Sequence, residues 1–215
     1  MFTIAIDGPG GAGKSTIAKL VASELGIDYI DTGAMYRAVA YKTISGNVDV
    51  SDETALKTML DDTDIDFRDG SIYLDDKCID KEIRTPEISR MASSVSALQP
   101  VREKLVELQR GMGRKKSVIM DGRDIGTNVL TDADYKFFMT ASAEERAERR
   151  YKELIEKGES VTFDEVLADI NQRDKNDMER ELNPLRKAND AVEIDTTGLS
   201  IKEVVALILK NVVSE

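Results

Sequence analysis

Gly8-Pro9-Gly10-Gly11-Ala12-Gly13-Lys14-Ser15-Thr16 follows directly on a short apolar run, Phe2-Thr3-Ile4-Ala5-Ile6, and precedes Ile17, Leu20, Val21 and Leu25 at helical spacing. The spacing predicts a buried strand, a tight loop and a helix in that order. Gly8, Gly10, Gly11 and Gly13 let the backbone curl so that several N–H groups converge, and the positive end of the helix points at the same spot. Lys14 adds a mobile charge, and the Ser15 hydroxyl can ligate magnesium. The segment 8–16 is therefore expected to hold a polyphosphate.

The bulk numbers restrict what surrounds this loop. A chain of 215 residues with 41% hydrophobic and 33% charged residues is ordinary for a soluble globular protein, and its length allows one core with insertions, the favoured reading, or at most two small domains. No stretch approaches the roughly 20 apolar residues of a membrane span, and too few apolar residues follow Met1 for a secretory leader. One cysteine, Cys78, excludes an internal disulfide and is expected to be a small, inert hydrophobe. Together these point to the cytoplasm. Histidine is absent, which removes Ser-His and Cys-His nucleophile pairs and the common zinc sites. Chemistry driven by positioned charge remains, and phosphoryl transfer is of that kind. A net charge of −11 argues against a nucleic-acid partner, although local arginines can still attract a nucleotide.

Along the chain, residues 29–31 read as a strand and 34–40 as a helix carrying Tyr36 and Arg37; 52–60 reads as another helix. Alternation around Asp69-Gly70, over 65–67 and 72–74, predicts a small antiparallel hairpin inserted into the strand-helix rhythm. Two helices are expected near 88–97 and 101–110, the second ended by Gly111 and Gly113. The run 118–121 is a buried strand that finishes in Gly122-Arg123-Asp124, a polar cluster at the edge where ligands of open parallel sheets bind. Further strands are expected at 135–139 and 191–195. Ser142 with Glu145, Thr162 with Glu165 and Ser200 with Glu203 each suggest a helix start, with the first helix ending at Lys157 before Gly158. Ile201, Val204, Val205, Ile208 and Leu209 give the last helix an apolar face.

Positive charge gathers on two of these helices. Arg146 shares a face with Arg149 and Arg150, while Arg173, Asp177 and Arg180 are spaced i, i+4 and i+7. Glu144, Glu145, Glu148 and Glu153 could turn the first set into a salt-bridged surface. Beside a phosphate loop, arginines on either side of the Gly158 break instead suggest a lid that stabilises a transferring phosphoryl group and excludes water.

Asp31-Thr32-Gly33-Ala34-Met35-Tyr36-Arg37, Glu82-Ile83-Arg84-Thr85, Asp121-Gly122-Arg123-Asp124-Ile125-Gly126-Thr127 and the stretch 173–180 closely resemble bacterial cytidylate kinases, in matching order and spacing. The alternation of strand and helix indicates a three-layer α/β fold with a mostly parallel sheet, and the resemblance implies its P-loop NTPase form: a five-stranded parallel sheet, a small antiparallel insertion in the monophosphate-binding region and a helical lid. It implies one domain, with its core in 1–32, 117–142 and 188–215, the insertion in about 33–116 and the lid with its flanking helices in about 143–187. It further implies transfer of the γ-phosphoryl group of ATP to CMP or dCMP with Mg2+, by a monomer. Carried over by position, Arg37 and Arg123 would hold the CMP phosphate, and Ser93, Arg102 and Asp124 would read cytosine. Thr32, Arg173 and Asp177 would contact the sugar. Catalysis would fall to Lys14, Arg123, Arg180, Arg146 and Arg150, with Ser15 on the metal and Asp121 as a carboxylate that organises its shell. An Asp124 carboxylate accepts from the cytosine amino group but would oppose the uracil carbonyl.

Two rivals use the same loop. A GTP-binding regulatory protein would read guanine with Asn171-Gln172-Arg173-Asp174 and switch at Asp195-Thr196-Thr197-Gly198, but that order is reversed from the expected one, and Asn171 lies in a charged helix rather than after a strand. A kinase for another small acceptor, such as another nucleotide, shikimate or dephospho-coenzyme A, is separated only by the acceptor-site residues.

Overall fold

Short apolar runs with helices between them assemble into an open sheet, as seen in a computed structural model that describes residues 1–156 and 158–213. The elements are β1 (Thr3–Asp7), α1 (Lys14–Leu25), β2 (Asp28–Asp31), α2 (Thr32–Ser45), α3 (Glu53–Asp61), β3 (Ile65–Arg68), β4 (Ser71–Leu74), β5 (Lys77–Cys78), α4 (Pro86–Val95) and α5 (Gln99–Gly113). They continue with β6 (Val118–Gly122), β7 (Tyr135–Thr140), α6 (Ala143–Glu156), α7 (Phe163–Glu179), β8 (Val192–Asp195) and α8 (Ile201–Val213). A short 3-10 turn, Glu82–Arg84, precedes α4, and a π-helical turn, Ile125–Val129, follows β6.

The chain divides into two compact units, Met1–Tyr29 with Ser117–Glu215, and Ile30–Lys116. The principal sheet has five strands in the order β2-β6-β1-β7-β8 and is parallel, as expected for an α/β fold. β1 pairs with β6 from Thr3↔Val118 to Asp7↔Gly122 and with β7 from Ile4↔Tyr135 to Asp7↔Phe138. This register brings the C-terminal ends of β1 and β6 side by side, so the phosphate loop and the Arg123-Asp124 pair leave the sheet at one edge. Ile4, Ile6, Ile119, Phe137 and Met139 form the centre of the core, with Ile17, Ala18, Val21 and Ala22 of α1 and Val204, Ile208 and Val212 of α8 packed on it. Leu20 and Ile201, expected on the buried faces, are exposed. The inward face of α1 is built around Ala18 and Ala22, whose small side chains let the helix lie close on the sheet. A second apolar cluster, Ala147, Leu154, Val166 and Ile170, joins α6 to α7.

The other unit contains an antiparallel sheet, β3-β4-β5, with Ile65 opposite Leu74 and Tyr73 opposite Cys78. The third strand goes beyond the expected hairpin. Asp75 and Asp76 both adopt positive φ, 48° and 63°, and make a second tight turn that aspartate tolerates without glycine. Cys78 lies exposed on this strand, not packed as expected. Helix α5 ends at Gly113, the second of the two glycines expected there, and keeps helical geometry through Gly111. The expected end of α6 at Lys157 lies outside the described residues, and the helix is seen to Glu156. Thr162 and Glu165 form the full reciprocal cap of α7, and Ser200 and Glu203 do the same for α8. At α6 only half of the box exists: Ser142 accepts the Glu145 amide, while the Glu145 carboxylate turns to Arg149 and Gly198.

Candidate active site

The loop between β1 and α1 is fixed by close packing. Gly8 has φ 147°, and a Cβ placed there would sit 2.0 Å from the carbonyl oxygen of Met139, so no other residue fits. Gly13 caps α1 in the left-handed region, φ 85°, and no side chain caps the first turn, which leaves its amides for a ligand. Lys14 folds back so that Nζ donates to the Pro9 carbonyl at 2.8 Å. Burial pushes its ammonium down to about 7, helped by the nearby positive Arg123, and Asp121 and Asp7 only partly restore it. A lysine held this way gains its full charge when an anion arrives.

Ser15 Oγ donates to Asp121 Oδ2 at 2.9 Å, and Tyr29 Oη donates to Asp121 Oδ1 at 2.7 Å. With its proton committed to a carboxylate, the Ser15 hydroxyl presents lone pairs outward, the arrangement a hard cation needs. Thr16 is exposed in the first turn of α1.

The positive groups surround this loop. A Cβ on Gly10 would lie 3.3 Å from Arg123 Nη2, so the Arg123 guanidinium rests against the loop interior. Arg123 Nε donates to Asp177 Oδ2 at 2.8 Å. Burial opposes the charge on Arg123, yet Asp177, Asp121 and Asp174 hold it above the ordinary guanidinium value. Burial likewise opposes charge on Asp177, but Arg123, Arg180 and Arg173 outweigh it and keep the carboxyl below its usual range. Arg173 is pushed down by burial and then by the positive charge of Arg123, with Arg150 adding to the repulsion. Guanidinium groups repelling one another beside a ring of loop amides make a preformed site for a polyanion.

Helix α7 ties this cluster together. Asp174 pairs with Arg146, Asp177 with Arg123, and Arg180 with Asp124. Arg146 is buried and donates to the carbonyls of Ala141 and Gly10 and to both oxygens of Asp174. It bolts α6 and α7 to the phosphate loop. Arg150 is 32% exposed, and its partner Glu153 is 60% exposed, so that bond can be exchanged for another anion. The salt-bridged alternative raised for this helix thus holds for Arg149 with Glu145 and for Arg150 with Glu153.

In the unit Ile30–Lys116, Asp31 caps α2 by accepting the Ala34 amide and pairs with Arg37 Nη2 at 3.1 Å. Arg37 Nε is buried without a hydrogen-bond partner among the described residues. A second guanidinium, that of Arg84, approaches the same Asp31 oxygen at 3.8 Å. Thr32 is buried at the start of α2. Arg102 is buried on α5, stacks over the Tyr36 ring at 5.8 Å and donates to the Ser96 carbonyl at 3.3 Å. Ser96 Oγ in turn bonds to the Ser93 carbonyl, which links Ser93 and Arg102 through the end of α4. The expected residues therefore form two groups: Thr32, Arg37, Ser93 and Arg102 in this unit, and Arg123, Asp124, Arg173, Asp177 and Arg180 in the other.

Sequence reasoning passed over Asp7. Its carboxylate accepts the amides of Ile125 and Gly126, both at 2.7 Å, and so pins the turn that follows Arg123-Asp124 to the start of the phosphate loop. Burial raises its carboxyl to about 6, despite the two amide bonds. An ionisable residue ending an otherwise apolar strand was the available signal. Asp174 was missed for a different reason: nothing in a charged helix marks which carboxylate will meet an arginine from another element.

A family model described as cytidylate kinase matches residues 4–214. The cytidylate kinase of Clostridioides difficile (strain 630) is 56% identical over 211 residues, covering 98% of each chain. That of Clostridium perfringens (strain SM101 / Type A) is 52% identical over 205 residues, covering 95% of this chain and 94% of the relative. Among solved structures, an uncharacterized protein from Eubacterium ventriosum ATCC 27560 superimposes with a TM-score of 0.58 at 15% identity, covering 100% of both chains, a likeness of fold alone.

Proposed function

We propose, from the premise that the chain belongs to the cytidylate kinase family, a division of labour among its residues for phosphorylating CMP and dCMP with ATP. The activity itself follows from the family: the γ-phosphoryl group moves from ATP to a phosphate oxygen of the acceptor, giving ADP with CDP or dCDP. A bond forms from the acceptor oxygen to phosphorus, and the bond to the β,γ-bridging oxygen breaks. Little covalent work is asked of the protein, so positioned charge supplies the catalysis.

The observation that carries the assignment is the placement of Arg123 against Gly10 of the loop, with Arg173 near enough to feel the charges of both Arg123 and Arg150. The amides of 8–16 and Lys14 grip the donor phosphates. Arg123 bridges towards the acceptor phosphate, which Arg37 also holds. Arg150 is the lid arginine free to exchange its partner for the transferring group, whereas Arg146 serves by holding the lid helices to the loop. Asp124, together with Ser93 and Arg102, reads the base; Arg180, expected among the catalytic arginines, is committed to Asp124 and the Asn183 carbonyl and serves by holding that carboxylate; Thr32, Arg173 and Asp177 serve the sugar.

Mg2+ fits the residues present. Ser15 and Asp121 are oxygen donors 2.9 Å apart, the hard ligands that this ion takes. Such a site suits an ion that takes one or two protein ligands and completes its shell with nucleotide oxygens and water. When bound, the ion would neutralise charge on the phosphate oxygens. Among the described residues no helix is long and apolar enough to cross a membrane. A net charge of −11 suits a small nucleotide better than a nucleic acid, and a reducing cytoplasm suits the exposed thiol of Cys78. We take the working form to be the monomer.

The test is the rate of ATP-dependent diphosphate formation across CMP, dCMP, UMP, AMP and GMP. The cytidine pair should be fastest; equal rates for UMP and CMP would remove the base-reading assignment while leaving the kinase intact.

A further inference from the structure

Tyr29 stands outside every role given above, yet its hydroxyl is spent on Asp121. The bond is short, 2.7 Å to Oδ1, and the opposite oxygen of the same carboxylate accepts Ser15 Oγ at 2.9 Å. Asp121 is buried, with 5% exposure, and each of its carboxylate oxygens accepts from one of these two donors. The Tyr29 ring is itself held: it packs against the sheet core, and Lys19, one turn beyond Ser15 on α1, lies 5.6 Å from its centroid. Tyr29, Asp121, Ser15 and Lys19 all belong to one compact unit.

We infer that Tyr29 is a positioning residue for magnesium: it fixes the rotation of the Asp121 carboxylate, which in turn holds the Ser15 proton and points the hydroxyl lone pairs at the ion. Without the phenol, Oδ1 loses a charge-assisted donor and the Asp121 carboxylate is held less firmly in its present orientation. Ser15 would then spend part of its time with its proton facing the ion. Groups that orient a metal ligand in this way change metal affinity by about 10- to 100-fold when removed. The inference rests on the reading of Ser15 and Asp121 as the magnesium-facing pair.

Tyr29→Phe deletes the hydroxyl and keeps the ring, its packing and its contact with Lys19. The experiment measures ATP affinity by calorimetry with and without excess MgCl2, for the parent, Tyr29→Phe and Asp121→Asn, alongside thermal unfolding. Expected for Tyr29→Phe are an unchanged magnesium-free affinity and a loss of about tenfold in the magnesium-dependent gain. Asp121→Asn should lose at least as much. The concentration of Mg2+ giving half-maximal turnover should rise for both, with the KM for CMP unchanged in Tyr29→Phe. If Asp121→Asn loses the gain and Tyr29→Phe keeps it, the role of Tyr29 is overturned and the metal reading stands. If Asp121→Asn keeps the gain, both fall together. An equal loss with and without magnesium in Tyr29→Phe would make the phenol a structural group and also overturn the inference.

Discussion

Arg180 Nη2 donates to Asp124 Oδ1 at 3.0 Å, and the two side chains are only 8% and 6% exposed. Asn128 Nδ2 takes the other carboxylate oxygen at 3.1 Å, and Arg180 Nε reaches the Asn183 carbonyl at 2.7 Å. The carboxylate proposed to read cytosine is therefore held in place by both neighbours.

Removing one partner of a buried pair leaves the other charge stranded. Asp124→Ala should destabilise the protein by about 3 kcal/mol in urea unfolding. The milder Asp124→Asn should retain the fold while CMP selectivity over UMP, read as the ratio of kcat/KM values, falls at least about tenfold. Selectivity preserved in Asp124→Asn would take base reading away from this residue.

Lys14 and Asp7 give the free protein a characteristic response to pH. The folded value of Lys14, about 7, lies below its ordinary 10.5, so its contribution to stability is full above 10.5 and is lost as pH falls towards 7. Asp7 is raised from 3.8 to about 6, so its contribution is full below 3.8 and is lost as pH rises to 6. Between them the two groups place their minimum contribution near pH 6 to 7. Binding of ATP should restore the Lys14 proton, with uptake of close to one proton per nucleotide at pH 8 and almost none at pH 6. Calorimetry in buffers of differing ionisation enthalpy measures this directly. Lys14→Met should abolish both the uptake and most turnover, without unfolding the protein.

The two α6 arginines proposed for the lid, Arg146 and Arg150, should separate by phenotype. Arg150→Ala breaks only an exposed bond to Glu153, so the unfolding midpoint should hold while kcat falls by two or more orders of magnitude, about 3 kcal/mol of transition-state stabilisation. Arg146→Ala strands Asp174 and frees the Gly10 carbonyl, so stability and turnover should drop together. Parallel thermal denaturation and steady-state assays distinguish the two patterns.

Gly8 and Gly26 provide a steric contrast, since both have positive φ but only Gly8 faces a backbone atom. Nothing lies within 4 Å of a Cβ on Gly26, so Gly26→Ala should cost only the left-handed backbone strain, about 1–2 kcal/mol. Gly8→Ala drives a methyl into the Met139 carbonyl and should leave little folded protein, as judged by soluble yield and circular dichroism.

The phosphate loop was legible because its chemistry is local: glycines, a lysine and a hydroxyl must sit at fixed spacing between strand and helix. The strand order was less so, yet the polar cluster Gly122-Arg123-Asp124 marked the right sheet edge, because parallel strands end together there. What could not be read depends on distant partners. Arg146 looked like a charge free to meet phosphate, and its burial on Gly10 and Asp174 follows only once α6, α7 and the loop are folded together. The strand Lys77–Cys78 was hidden by an Asp-Asp turn that carries no glycine. On α1, leucine at position 20 outweighed the alanines by hydrophobicity, but close helix-sheet packing selects the alanines.

The most direct measurement of the central claim is a crystal structure with both nucleotides bound. An oxygen of the acceptor phosphate should lie within about 3 Å of an Arg123 Nη nitrogen, and the donor phosphates should lie in the amides of 8–16 with Lys14 turned from Pro9 to meet them. An acceptor phosphate lodged away from Arg123, with Lys14 still bonded to Pro9, would contradict it.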